Sequence, residues 1–246
     1  MERTLFLRVA IRFYLGSNSK VFKSTDFGAP WIDMSTGLDH GGIRALLYDG
    51  SNLFAGTPAN AAGMYRSTNG GMSCEAAATG LPIGSLIRAK ISFGDYVFAG
   101  TEGDGIYRSS DHGDTWAKTD INNSLLAQQL VLAFCAKDNA LMPELATAFT
   151  NRPDNGATFQ RTLNGFPPNI NVTAFSLTVS GSNIIAAVAV SFSPSEGLDA
   201  IFYSPDDGST WHQANLPVEA TFASSVASDG TSLVYAGACN GIYKST

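Results

Sequence analysis

Five spaced copies of one turn motif, many short aromatic and β-branched runs closed by glycine, and the lack of any segment with a helical period predict an all-β chain. The expected architecture is a β-propeller of four-stranded antiparallel blades. The motif reads S-x-D-x-G-x-T-W, and its copies span residues 24–31, 67–74, 109–116, 152–159 and 204–211, with a sixth beginning at Ser245-Thr246. Their first positions, 24, 67, 109, 152, 204 and 245, are separated by 43, 42, 43, 52 and 41 residues, the length of a four-stranded blade. The long interval contains residues 191–199, rich in Ser, Pro and Gly, which read as a loop insertion between two strands.

Each copy keeps the same company. Residues 52–57 and then Met64-Tyr65-Arg66 precede the second copy; residues 96–101 and then Ile106-Tyr107-Arg108 precede the third; residues 233–237 and then Ile242-Tyr243-Lys244 precede the sixth. Such β-branched and aromatic runs are strand signals. Before them lie the runs 43–48, 86–93, 172–179 and 221–227, most of them closed by a turn such as Asp49-Gly50, Ser180-Gly181 or Asp229-Gly230. A blade therefore reads A strand, turn, B strand, loop, C strand, motif, D strand, with the motif in the C–D hairpin. C strands fall near Val21, Met64, Ile106, Ala148, Phe202 and Ile242, which predicts six blades, the last incomplete. Residues 1–8 supply either the first A strand or the missing strand of the last blade, because an open blade edge needs cover. A single domain over 1–246 is expected, with a piece of a longer propeller as the alternative.

The residue types of the motif follow from a tight turn. Asp26, Asp111, Asp154 and Asp206 accept hydrogen bonds from backbone N–H groups, the glycine two residues on takes a positive φ, and the hydroxyl at the seventh place adds a local bond. The aromatic at the eighth place, Trp31, Trp116 or Trp211, opens the D strand and buries its ring against a neighbouring blade. The second copy departs from the pattern. Asn69 keeps the turn, but Cys74 gives up the ring, so this copy is expected to be the weakest clamp.

Composition narrows the function. Hydrophobic residues make up 44% and charged residues 15%, enough to bury a large core. A net charge of −6, with no basic run longer than two, removes the footprint of a nucleic-acid binder. Cys74, Cys135 and Cys239 lie far apart, which fits neither a zinc site nor a disulfide framework, and His40, His112 and His212 are equally scattered. No metal or cofactor is expected. Arginines 3, 8 and 12 interrupt the apolar residues of the N-terminus, so no signal peptide is visible, and no apolar run reaches membrane-spanning length.

Residues 107–116, Tyr-Arg-Ser-Ser-Asp-His-Gly-Asp-Thr-Trp, resemble the Asp-box or BNR-repeat proteins, and the likeness extends over essentially the whole chain. That group includes bacterial sialidases, xyloglucan-active endoglucanases, sortilin-type receptors, a photosystem II assembly factor and many secreted propellers of unassigned activity. The stretch from Gly50 to Thr57 is most similar to the last of these, which implies an extracellular or cell-surface location. Sialidases carry an Arg-Ile-Pro element and three arginines that grip a carboxylate. This chain has no Arg-Ile-Pro, and only Arg44 and Arg88 fall at equivalent A-strand positions; Phe175 and Ser224 stand at the later ones. The xyloglucan-active enzymes use a cleft between two large propellers.

In the enzymes of that group the site lies on the face away from the Asp boxes. The resemblance therefore points to Asp39 and His40, Glu102 and Asp104, Asn122 and Asn123, and Glu196 and Asp199, with Arg44 and Arg88 near the central channel on the same side. Two arginines on neighbouring strands suit a carboxylate ligand, and equally suit nearby acids. Glycoside hydrolysis needs two carboxyls about 5–10 Å apart, for which Glu102 and Asp104 are the candidates. Strong scaffold motifs beside weak catalytic ones predict a non-catalytic binding or scaffold module for a protein or glycan partner. The alternative is a glycan-binding or glycoside hydrolase propeller.

Overall fold

The computed structural model describes residues 5–9, 12–17, 20–26, 28, 30–38, 42–58, 62–119, 130–137, 140–145, 150–151, 160–167, 171–193, 196–215, 225–229, 233–238 and 241–245. Every regular element among them is a strand, and no helix is long and apolar enough to cross a membrane. The chain forms two compact units, Met1–Thr119 and Asp120–Thr246.

The first unit holds three four-stranded antiparallel sheets in simple sequence order. They are β1 (Leu5–Val9), β2 (Arg12–Gly16), β3 (Val21–Ser24) and β4 (Ile32–Asp33); β5 (Ala45–Tyr48), β6 (Leu53–Gly56), β7 (Met64–Ser67) and β8 (Glu75–Ala76); and β9 (Ile87–Phe93), β10 (Tyr96–Thr101), β11 (Ile106–Ser109) and β12 (Ala117–Lys118). The core lies between the sheets. Tyr14, Val21 and Met34 meet Leu53, Ala55 and Tyr65 of the second sheet, whose Phe54 and Met64 in turn meet Val97, Ala99 and Trp116 of the third. A strand that faces a neighbour on both sides has no solvent face, so β6 is buried at all four positions and is apolar or glycine throughout.

The second unit contains the ladder of β13 (Val131–Lys137) with β14 (Ala140–Leu145) and that of β15 (Thr150–Asn151) with β16 (Gln160–Arg161). A four-stranded sheet follows, built from β17 (Asn171–Ser180), β18 (Asn183–Ser193), β19 (Glu196–Ser204) and β20 (His212–Gln213). A three-stranded sheet of β21 (Ser225–Ser228), β22 (Val234–Ala238) and β23 (Gly241–Lys244) ends the unit.

Two expectations change and one open alternative is decided. Five sheets of three or four strands, rather than six blades, are present among the described residues. The fourth repeat is split because β14 and β15 are neighbours without a shared ladder. Pro143 lies within β14, and a residue with no N–H favours a sheet edge there. The fourth motif with Asp154, and the C-strand position Ala148, lie outside the described residues. The N-terminal run is the first A strand, since β1 pairs with β2 from Leu5↔Gly16 to Val9↔Arg12. The insertion at 191–199 extends a hairpin instead of forming an irregular loop: β18 and β19 stay laddered out to Ser193↔Glu196. Backbone hydrogen bonding carries a ladder through polar residues as well as apolar ones.

Candidate functional site

The motif segments join β3 to β4, β7 to β8, β11 to β12 and β19 to β20. In the third copy the buried Ser109 is the hub. Its Oγ donates to Asp111 Oδ1 at 2.7 Å and accepts from Gly113 N at 2.7 Å. Asp111 then accepts from Thr115 N at 2.9 Å and from Thr115 Oγ1 at 2.6 Å. The Thr115 hydroxyl first, with the Thr115 N–H and Ser109 behind it, holds the Asp111 carboxyl down at about 2. Ser204, Asp206 and Thr210 repeat the pattern, and the serine–acid part recurs at Ser24 and Asp26. Asn69 reproduces it without charge, accepting from Ser67 Oγ and Ser73 N and donating to Ser73 Oγ. The serine went unassigned in the sequence, although it stands at the first place of all four described copies.

Three of the four described hairpins, those at 67–74, 109–116 and 204–211, are tied to the repeat before them. Arg66 on β7 reaches forward to the His112 carbonyl at 2.8 Å and the Asp114 carboxylate at 2.7 Å, and back to Glu75 at 2.9 Å. Lys23 donates to the Gly70 carbonyl, Thr162 to the Gly208 carbonyl, and Lys137 pairs with Asp207. Trp116 is 4% exposed and Trp211 1%, and the Trp116 indole donates to the Ala77 carbonyl at 2.8 Å. Trp31 departs from the expected burial, with 37% of its surface exposed. The motif's eighth N–H donates to a carbonyl one repeat back: Cys74 to Thr36, Trp116 to Thr79, Trp211 to Asn164.

Beside each of those acceptors stands a glycine, Gly37, Gly80 or Gly165, with φ of +85°, +93° and +95°. A Cβ there would lie 2.0, 2.0 and 1.8 Å from the carbonyl oxygen of residue 74, 116 or 211. Sequence reasoning missed these positions. The recurring Thr36-Gly37-Leu38, Thr79-Gly80-Leu81 and Asn164-Gly165-Phe166 were the signal for them.

Of the candidate ligand-binding residues, Arg88 and Glu102 are brought together. The Arg88 Nε lies 2.6 Å and its Nη2 2.5 Å from Glu102 Oε2. Arg88 is the extra residue of a bulge, because Gly100 pairs with Ala89 and Thr101 with Ile87, and a bulge re-aims its side chain. Asp104 accepts from Ser85 Oγ at 2.8 Å, while its own N–H donates to Thr101 Oγ1. Burial pushes the Tyr107 phenol up, and the charge of Asp104 adds to this. Arg44 anchors by its backbone N–H to the Gly56 carbonyl, and its exposed side chain has no ion pair among the described residues. Asp199 lies half-buried in β19, where burial pushes its carboxyl up, and Glu196 opens the same strand. Asp39, His40, Asn122 and Asn123 lie outside the described residues. Within the first unit Arg88, Glu102 and Asp104 are thus engaged by neighbouring polar groups, whereas the Arg44 side chain is tied to none of them by a hydrogen bond or ion pair among the described residues. Among the described residues no cluster of metal-ligating side chains occurs.

No protein-family model and no curated protein matches the chain. Solved structures do. An ancestral GH74 enzyme matches with a TM-score of 0.75 at 17% identity, over 96% of this chain and 34% of that one. The fold is a β-propeller. The extracellular domain of BT4673 from B. thetaiotaomicron gives 0.71 at 18% identity, over 98% and 31% of the two chains. YCF48 bound to D1 peptide gives 0.56 at 13% identity, over 99% and 94%. This chain therefore spans about a third of the first two proteins and nearly all of the third. The propeller also carries an apolar cavity of about 250 Å³ between the β17–β20 blade and the last sheet, lined chiefly by Ile185, Ile201, Val234, Ala236 and Tyr243.

Proposed function

We infer that the protein is a non-catalytic binding or scaffold propeller of the Asp-box, or BNR-repeat, group, which presents its loops to a protein or glycan partner outside the cell. The observation that carries this reading is where the charged side chains are used. Arg66 links two blades through Glu75, Asp114 and His112, Lys137 meets Asp207, and Arg88 closes on Glu102. Such cross-links make a rigid frame, and a rigid frame that carries polar loops is the usual basis of recognition. The likeness to an extracellular domain supports the location, and the likeness to a peptide-bound propeller supports a protein partner.

The likeness to a GH74 enzyme favours the second reading, a glycan-binding or hydrolytic propeller with Arg44 and Arg88 at its anion site. Incubation with xyloglucan and with a fluorogenic sialoside, alongside a glycan array, separates the two. Release of neither reducing ends nor fluorophore is expected. Turnover that disappears in the Arg44→Ala/Arg88→Ala double variant would reject the scaffold reading in favour of the hydrolase.

A further inference from the structure

The second motif copy differs from its neighbours in its chemistry as well as its packing. Asn69-Gly70 stands where the acid and its successor stand elsewhere, and Gly70 takes a φ of +71°, as His112 (+53°) and Asp207 (+57°) do at the same place. In those two copies the backbone carbonyl of the acid is tied down: Asp114 N donates to the Asp111 carbonyl, and Ser209 N to that of Asp206. Among the described residues the Asn69 carbonyl accepts no such bond and the Gly70 N–H has no acceptor. The peptide unit between them is therefore untethered on both sides. Gly70 sets no side chain against the Asn69 amide, and the Lys23 ammonium, which donates to the Gly70 carbonyl at 3.0 Å, favours negative charge there.

The Asn69 side chain is exposed to water and yet held in place. Ser73 N donates to its Oδ1 at 3.0 Å, which settles the end of the amide that carries oxygen, and Ser67 Oγ donates to the same atom at 2.8 Å. Two donors on one carbonyl oxygen draw charge from Cγ and stabilise the oxyanion that forms when a nucleophile adds there. On the other side Nδ2 donates to Ser73 Oγ at 2.8 Å, and a hydroxyl so placed hands a proton to that nitrogen as it departs. In the third copy Asp111 Oδ2 accepts from Thr115 Oγ1 at 2.6 Å, the counterpart of the bond between Nδ2 and Ser73. The second turn thus already holds every partner that a carboxylate at position 69 requires.

We propose that Asn69 is a self-modification site, where the folded protein hydrolyses its own side-chain amide and gives the second motif the charged acid of the other three described copies. Gly70 N gives up its proton to solvent and attacks Asn69 Cγ, which closes a succinimide ring. The Cγ–Nδ2 bond breaks, and the nitrogen takes up one proton and leaves as ammonia. Water then adds at Cγ, the bond from Cγ to Gly70 N breaks, that nitrogen recovers a proton, and the carboxyl left behind ionises. One water is consumed, one ammonia is released, and nothing is oxidised or reduced. Opening the ring at the backbone carbonyl instead would route the main chain through the side chain and add a methylene ahead of Gly70. Gly71 N, which donates to the buried Ser67 Oγ at 2.8 Å, resists that displacement, so the turn selects ordinary aspartate over isoaspartate.

The same dipeptide at Asn164-Gly165 is an internal control. Asn164 is also exposed, but its backbone carbonyl is tied to Trp211 N at 2.8 Å and its Nδ2 donates to the Ser209 carbonyl, a bond that a carboxylate cannot make. Its side-chain oxygen has no donor among the described residues.

The test ages the folded 246-residue protein in neutral buffer for several weeks and maps its peptides by fragmentation mass spectrometry. The peptide carrying residues 67–74 is expected to gain the mass difference between an amide and an acid, with aspartate as the main product. Asn164 is expected to react about ten-fold more slowly or less, the effect on a rate of one tethering hydrogen bond. Gly70→His, which copies the third motif and its positive φ, should slow the reaction at Asn69 by about the same factor. An Asn69→Asp variant, made directly, should melt above the wild type, which reads the fit of the product without relying on the reaction. Three results overturn the site: no mass gain at Asn69 while the urea-unfolded chain converts, equal rates at Asn69 and Asn164, or isoaspartate as the main product. A lower melting temperature for Asn69→Asp would equally overturn the claim that the turn is built to accept the acid.

Discussion

At the residue scale, the motif works because one serine, one acid and one threonine satisfy each other and the turn. Asp111→Ala removes the acceptor of two Thr115 bonds and the Ser109 bond, so a loss of about 1–2 kcal/mol is expected in urea unfolding at pH 7. Asp111→Asn should cost less, because Asn69 already fills that role in the second copy. The loss should also depend on pH. A carboxyl held near 2 when folded and 3.8 otherwise stabilises the fold above pH 4 and ceases to do so as pH falls towards 2. The difference between wild type and Asp111→Ala should therefore shrink across that interval.

Glycine supplies the second residue-scale case. Gly80 and Gly50 both have positive φ, but an added Cβ meets the Trp116 carbonyl at 2.0 Å in one and nothing within 4 Å in the other. Gly80→Ala is expected to cost roughly 2–4 kcal/mol and Gly50→Ala about 1 kcal/mol, read from denaturant midpoints. The acids of the motif were legible in the sequence because their partners lie within four residues. Gly80 was not, because the atom that demands a glycine comes from a tryptophan 36 residues later.

At the element scale, the blade order of four strands was legible because the register of each sheet follows the alternation of apolar residues and the position of its turns. What could not be read was compensation between elements. Cys74 looked like a lost clamp, yet Met34 stands where Ala77 stands one blade on: Met34 N donates to the Val21 carbonyl as Ala77 N does to that of Met64. Met34 is buried with Tyr14, Leu53 and Tyr65, and Cys74 packs against the same cluster. The longer methionine fills space that the tryptophan takes in the next blade.

A single Cys74→Trp exchange is therefore expected to overpack and destabilise by about 1–3 kcal/mol. Adding Met34→Ala makes the room, and the double variant should regain most of that loss. Thermal or urea unfolding of the four proteins in a mutant cycle reads the coupling, and additive effects would contradict this packing. The split fourth repeat shows the opposite limit. Its spacing is regular at 43 residues, but Pro143 acts on backbone pairing that spacing alone does not report.

At the scale of the whole molecule, acids and one lysine set how stability follows pH. Asp33 is held near 2 chiefly by Lys20, and Asp111 by Thr115, so both lend stability that disappears as pH falls from about 4 to 2. Lys90 acts at the other end. The residue as a whole is half-buried, but its ammonium nitrogen is out of reach of solvent and has no hydrogen-bond partner among the described residues. Burial lowers its pKa well below 10.5, so the unfolded chain binds the proton more tightly than the folded one. Its burden on stability is absent above pH 10.5 and grows as pH falls towards the folded value. Lys90→Met keeps the apolar stem and removes the ammonium, which should raise stability by about 1–3 kcal/mol at pH 7. Cys74 and Tyr107, both pushed up by burial, act in the opposite sense above pH 9, but they are common to both proteins and cancel in the difference. Urea midpoints measured from pH 6 to 10 should show the gap between Lys90→Met and wild type closing as pH rises. A gap that stays constant would mean that Lys90 carries the same charge in the folded and unfolded chain.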